Sequence, residues 1–263
     1  MERQFLQLSI WDQLNAKEAE VIAQTLAPLL PPPWKFQRIE QHACGDQKRQ
    51  VAFFTWKRVR FALIPGGKVT LGYDRRKPFM PSQEQRESWS DTQEEYGLKL
   101  KDFLKDCLTP LRTAVFEPFL LEVTARQAPP TEMTDGFRLP TFDEWEYACS
   151  GGARTLFRWG NDCPTDCYPI ESRWKGHRQP NAFGLRIASN PYDSEYCVQQ
   201  ERNKERLVVR GGDGGSAICG GIGYFYGWIP LASAYYAPDL ENLMEHIDGY
   251  CRRAFSLPEG CLD

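Results

Sequence analysis

From Arg158 to Tyr236 the chain carries almost no hydrophobic periodicity; Gly, Pro, Asn, Asp and aromatic residues dominate. Compact domains rarely leave so long a stretch irregular. Those that do hang an elaborate loop surface on a small sheet, and such loops commonly hold function. The chain is therefore confined to loop-rich folds. Eight Trp, 11 Tyr and 15 Phe exclude a disordered chain and supply a large core. Its 263 residues suit one large domain with an added piece.

The clearest local signal precedes that stretch. In Arg138–Cys149, Thr141 can cap a helix and Glu144 completes a capping box, worth about 1 kcal/mol. Asp143 and Glu144 lie at the positive end of the helix dipole, Gly151-Gly152 supply a left-handed stop, and Trp145, Ala148 and Cys149 share the predicted buried face. Upstream, Asp12–Leu30 reads as an amphipathic helix with Leu14, Val21, Ile22, Leu26 and Leu29 inward, stopped by Pro31-Pro32-Pro33. Strand-like runs follow at Trp34–Ile39 and Gln50–Trp56, joined by the turn Cys44-Gly45-Asp46. Val59–Ile64 and Val69–Tyr73 flank Pro65-Gly66-Gly67-Lys68 and predict a hairpin. Arg75–Asp91 is polar and reads as a surface loop, Leu98–Leu108 as a helix and Phe116–Val123 as a strand. Leu240, Leu243, Met244, Ile247 and Cys251 form a last helical stripe before a closing strand within Arg252–Leu257. The fold class expected is α+β.

Lys and Arg total 32 against 35 Asp and Glu, a net charge of −3 that does not suit wrapping nucleic acid. No run reaches the roughly 20 apolar residues of a membrane helix, and Met1–Phe5 lacks the start of a secretory signal. Nine cysteines, an odd count, suggest mostly reduced thiols and a cytoplasmic protein. The partners expected exclude nucleic acid and membrane.

Several segments together resemble the formylglycine-generating enzyme (sulfatase-modifying factor) family, whose fold is a variant of the C-type lectin fold. They are Phe61–Gly67 with Leu71-Gly72, Phe119–Thr124, Arg138–Ala148 with Gly151-Gly152, Arg158–Asn161, Asn181–Leu185 and Val208–Gly212, in the family's order. The resemblance covers roughly residues 61–215. It implies a formylglycine-generating-enzyme-like domain over 61–263 and an N-terminal helix and hairpin extension over 1–60. The family's fold hosts copper oxidases, iron-dependent sulfoxide synthases and non-catalytic binding proteins, so function must be read from the site.

The family's oxidases use two cysteines five positions apart to bind Cu(I), for which thiolates are suited. Cys219 resembles the first, and Ser216 the neighbouring serine that positions oxygen or substrate; Tyr224 stands where the second cysteine belongs. An iron site is not expected, because the only histidines, His42, His177 and His246, have no paired spacing. A calcium site of the family would fall on Asn190, Asp193 and Glu195, in an altered pattern whose structural alternative is an Asn-Pro turn. Cys163 and Cys167 read as a local redox bridge or two free thiols rather than half a zinc site.

Seven glycines between Gly211 and Gly223 fit neither a P-loop nor a dinucleotide fingerprint. Beside Tyr224, Tyr226, Trp228 and Tyr235 they suggest a pocket wall with Asp213 as its charge; the structural alternative is crossing loops over core aromatics. The function expected is that of a divergent member recognising a protein, peptide or small molecule through these loops. The alternative is a copper-dependent oxidase acting on a cysteine or other substrate through Cys219 with a partner thiol.

Overall fold

The computed structural model describes residues 3–131, 133–201, 204–219 (without the Cys219 side chain), 223–236 and 249–259. Among them the chain forms α1 (Leu8–Trp11), α2 (Ala16–Leu26), β1 (Trp34–Cys44), β2 (Gln47–Trp56), β3 (Val59–Ile64) and β4 (Gly67–Leu71). Next come α3 (Gln83–Tyr96), α4 (Leu100–Cys107), β5 (Arg112–Phe116), β6 (Phe119–Glu122), β7 (Arg126–Gln127) and α5 (Phe142–Ser150). The last elements are β8 (Glu195–Glu201), β9 (Lys204–Arg210), α6 (Ser216–Cys219), α7 (Tyr224–Trp228), β10 (Tyr250–Cys251) and β11 (Ala254–Ser256). The architecture is mixed α+β.

A five-stranded antiparallel sheet runs β1-β2-β3-β6-β11. Strand residues alternate faces, and here both faces are covered. Phe53, Ala62, Ile64 and Leu121 pack with Trp145 and Phe183 on one side. Phe54, Phe61, Leu63 and Leu120 pack with Ala19, Ala23 and Leu26 of α2 on the other. Each fully buried Phe contributes roughly 1.5–3 kcal/mol of transfer free energy. Residue 60 lies within β3, which pairs with β2 on one edge and β6 on the other, so the N-terminal helix and hairpin share this sheet.

The helix expected over 12–30 spans only Ala16–Leu26, capped by Asn15, whose side-chain oxygen accepts from the Lys17 and Glu18 N–H groups. Its buried face is Ala19, Ala23 and Leu26, whereas Val21 and Leu29 are exposed. The small alanines let the helix lie close to the sheet, which an alternative stripe of larger residues would prevent. The hairpin expected across Pro65–Lys68 does not form. β3 stays in the large sheet and β4 leaves it to pair with β5. The sequence Pro-Gly-Gly makes a corner instead of a turn: a Cβ on Gly66 would stand 2.6 Å from the Phe116 carbonyl oxygen. The single strand expected over 116–123 is two, ending at Phe116 and restarting at Phe119 after Pro118.

The loop expected over 75–91 contains the start of α3. Ser82 caps it, accepting from the Gln85 N–H while the Gln85 side chain accepts from the Ser82 N–H. Only Gln85, Trp89 and Thr92 are buried, a face too polar for apolar periodicity to reveal. α5 meets expectation: Thr141 and Glu144 form the capping box, Gly151 ends the helix at φ 58°, and Trp145, Ala148 and Cys149 are fully buried. β11 closes the large sheet within the expected 252–257 segment. The stripe of Leu240, Leu243, Met244 and Ile247 lies outside the described residues, and Cys251 belongs to β10. β7, β10, β8 and β9 form a second sheet, with β10 parallel to β8.

Candidate functional site

The glycine-rich loop is organised by Asp213 from within. One carboxylate oxygen accepts from the Gly215 N–H at 2.9 Å and the other from the Ala217 N–H at 2.8 Å. Burial pushes this carboxyl upward, against those backbone donors. Gly215, at φ 84°, faces the Tyr192 ring so closely that a Cβ would lie 1.8 Å from it. The loop is thus folded tightly on itself, with Asp213 as its internal tie and Ser216 exposed at the start of α6. The Cys219 side chain lies outside the described residues, so a copper-type site acquires no geometry here.

The aromatics expected to present a ligand surface mostly face inward. Trp228 is fully buried, packs near Trp159, Trp174 and His177, and donates its indole N–H to the Cys167 carbonyl. Tyr235 is buried, and Tyr226 is half-buried between Trp89 and Phe103. Tyr224 alone of the four is exposed, at 40%, with its ring edge-on to Tyr168. A loop this rich in apolar rings must bury most of them, and α3 and α4 provide the cover.

Asn190, Asp193 and Glu195, where calcium was expected, are each engaged by protein groups. The Asn190 oxygen accepts from the Tyr192 N–H, as in an Asn-Pro turn. The buried Glu195 carboxylate accepts from the Trp145 indole and from two Arg252 nitrogens, each at 2.8–2.9 Å. Three interior donors hold this carboxylate; Asp193 is raised by its own burial and also by the nearby Glu195 charge. Among the described residues no group of three or more His, Cys, Asp or Glu could hold a metal. Cys163 and Cys167 are free thiols; burial pushes Cys163 up to about 12 and raises Cys167 as well.

The opening that the fold does build lies over this aromatic core. After β4, residues 72–81 form a strap separating two adjoining cavities of about 530 and 490 Å³, which share Tyr73, Pro78, Phe79 and Met80 as walls. The strap is pinned at one end by the Gly72 N–H to Glu146 (2.6 Å) and the Tyr73 N–H to the Thr109 carbonyl (2.8 Å). Farther along, the Phe79 N–H donates to the Tyr73 hydroxyl oxygen at 2.9 Å, which folds the strap back on itself. Met80, 79% exposed, stands at the shared rim.

The first cavity is polar. Glu146, Ser150 and Ser233 line it from below, with Lys77, Asp74 and Arg154 at its sides. Glu146 on α5 is buried yet ionised. Burial opposes its charge, but Arg210 and Arg112 outweigh burial and hold the carboxyl below the ordinary range. Arg112 and Arg210 each donate to it at 2.9 Å, and the Thr109 hydroxyl at 2.8 Å. The second cavity is apolar, an open groove between α3 and α4 lined by Trp89, Leu100 and Leu104. The two lie on either side of the strap and meet at its Met80 rim; together they are called the trough, polar on one side and apolar on the other. Sequence reasoning missed Tyr73, Phe79, Met80 and Trp89. The available signal was a bulky apolar pair between Pro78 and Pro81 in an otherwise polar run.

A third cavity of about 970 Å³ lies between β5, the start of α5 and β8. Its charges are already matched in pairs, Arg112 with Asp143 and Arg138 with Glu144. No helix among the described residues is long and apolar enough to cross a membrane. No protein-family model matches this chain, and no curated protein matches it in sequence.

Proposed function

We propose that this is a recognition protein that binds a segment of another protein, in extended form, in the trough around the Tyr73–Met80 strap. Its fold is read as a divergent formylglycine-generating-enzyme-like domain, supported by six sequence segments in the family's order and by the mixed α+β architecture. The observation that carries the binding reading is an open trough with a polar and an apolar half, walled by an exposed Met80 over a rigid aromatic core. Recurrent peptide sites share that construction, pairing apolar anchor pockets with nearby polar groups. The C-terminal aromatics then act beneath the trough rather than as its surface. Cys44, Cys107, Cys149, Cys163, Cys167 and Cys197 are free thiols, which supports a reducing compartment such as the cytoplasm.

The test is selection from a phage-displayed random dodecapeptide library on the intact protein, followed by titration of the selected peptide. Met80→Asp should weaken that peptide at least about tenfold, since a charge replaces the apolar wall, while Tyr224→Ala leaves affinity unchanged. Selection of peptides that bind Met80→Asp equally well would overturn the reading. So would stoichiometric Cu(I) binding under reducing conditions that Cys219→Ala abolishes, in favour of an oxidase.

A further inference from the structure

β1 is an outer strand of the five-stranded sheet, bonded to β2 along one side only. From Lys35 to Cys44 no residue is buried. Among the described residues no backbone group of that stretch pairs with backbone other than that of β2. Its outward N–H and C=O groups are a template for a further strand. A bulge between Phe36 and Arg38 interrupts the ladder, and beyond it Arg38–Cys44 pair with β2 in unbroken register. Arg38, Glu40 and His42 alternate onto one face of this regular stretch. Glu40 accepts from the Arg60 guanidinium at 2.6 Å, lies 3.0 Å from His42 Nε2 and pairs with Arg38. Those partners hold its carboxyl down at about 2, so it is ionised. Gln41 and Ala43 are exposed on the opposite face.

We infer that β1 is a self-association edge: two copies of the chain pair this strand antiparallel about a twofold axis at Gln41, joining their sheets into one. The charge order selects that register. A ladder centred on Arg38 or Glu40 sets the residue against its own copy, like charge on like. Centring on Ile39 brings the bulge residue Gln37 into the pairing, and centring on His42 or Ala43 runs it into the turn at Gly45 and Asp46. Centred on Gln41, the pairing uses the whole regular stretch. Arg38 then faces Cys44 of the second copy, Ile39 faces Ala43, Glu40 faces His42 and Gln41 faces Gln41, with no like charges opposed. A twofold contact of this kind closes on itself and does not propagate into fibres. A strand edge is far smaller than the roughly 20–30 residues a side of a standard interface, so the dimer forms at micromolar rather than nanomolar concentration. The inference is independent of the recognition reading, since neither cavity beside the strap contains a residue of β1.

Sedimentation velocity of the intact protein from about 1 to 200 μM tests this, and the mass should rise from one chain to two across that range. Gln41→Lys and Gln41→Glu each set like charges together at the axis. Both change an exposed side chain, so circular dichroism should stay that of the wild type while the dimerisation midpoint rises about tenfold or more. An equimolar mixture of the two variants should associate at least as well as the wild type, because Lys then faces Glu across the axis. Hydrogen exchange in peptides spanning 38–44 should slow as wild-type concentration rises. A wild type that stays monomeric throughout would overturn the proposal. So would single variants that dimerise like the wild type, or a mixture that fails to restore association.

Discussion

His177 offers a test of the core beneath the trough through pH. It is fully buried, with ring centroids 5.2 Å from Trp228 and 5.8 Å from Trp174. Its Nε2 accepts from Arg178 Nε at 3.2 Å, and the Arg158 guanidinium donates to its carbonyl oxygen. Burial lowers the imidazole pKa from 6.5 to about 4, helped by Arg178, Arg158 and Lys175. Protonation would add a cation beside two guanidinium groups and break the bond from Arg178. The unfolded chain takes up this proton near pH 6.5, the folded chain only near 4. Between those values the unfolded state binds more protons, so stability falls as pH drops, by on the order of 3 kcal/mol in all. Asp193 and Asp213, whose carboxyls burial raises, act in the opposite sense, so the informative comparison is with a variant. His177→Phe keeps an aromatic ring between the tryptophans and removes the titration. Urea unfolding at pH 7, 6, 5 and 4 should show the wild type losing roughly 3 kcal/mol more than the variant across the series. Parallel curves for the two proteins, or an imidazole titrating by NMR near 6.5, would refute the reasoning.

Removing the Glu146 carboxylate should be costly, because Glu146→Ala leaves Arg210 buried without its anion; the expected loss is about 3–5 kcal/mol by urea unfolding. Its lowered pKa adds stability that is complete above the ordinary glutamate range and lost as pH falls through and below it, so Glu146→Gln should flatten the acid limb of stability. Trp228→Ala should cost about 3–5 kcal/mol, whereas Tyr224→Ala, at an exposed ring, should change thermal unfolding by under about 1 kcal/mol. Similar losses for the two aromatics would contradict the inward placement of Trp228.

The legible parts of this protein were those set by neighbours in the chain. Thr141, Glu144 and Gly151 cap α5 through bonds spanning three or four residues, and the short apolar runs of β2 and β3 mark strands wherever they pair. What could not be read depended on partners far along the chain. Nothing local distinguishes Pro65–Lys68 as a corner from a turn; the choice follows from β5 lying beside β4 and the Phe116 carbonyl against Gly66. α3 escaped notice because Trp89 is its lone large buried side chain, and the cluster it joins comes from α4, α7 and residues 156–159.

The candidate site divides in the same way. Residue types near Gly211–Tyr236 correctly marked a concentration of glycine and aromatic rings, but composition carries no sign of inside or outside. Tertiary packing turned Trp228 and Tyr235 inward and committed Glu195 to Arg252, a residue 57 positions away. It also set the 72–81 strap between Arg154 on one side and the α3–α4 groove on the other. The sequence alone determined α5, whose cap and stop are short-range bonds, and the apolar runs that become β2 and β3, since these follow from local bonding and residue type. Which charges meet and which rings are covered required the folded chain, because burial and Coulomb attraction act through space, without regard to separation along the backbone.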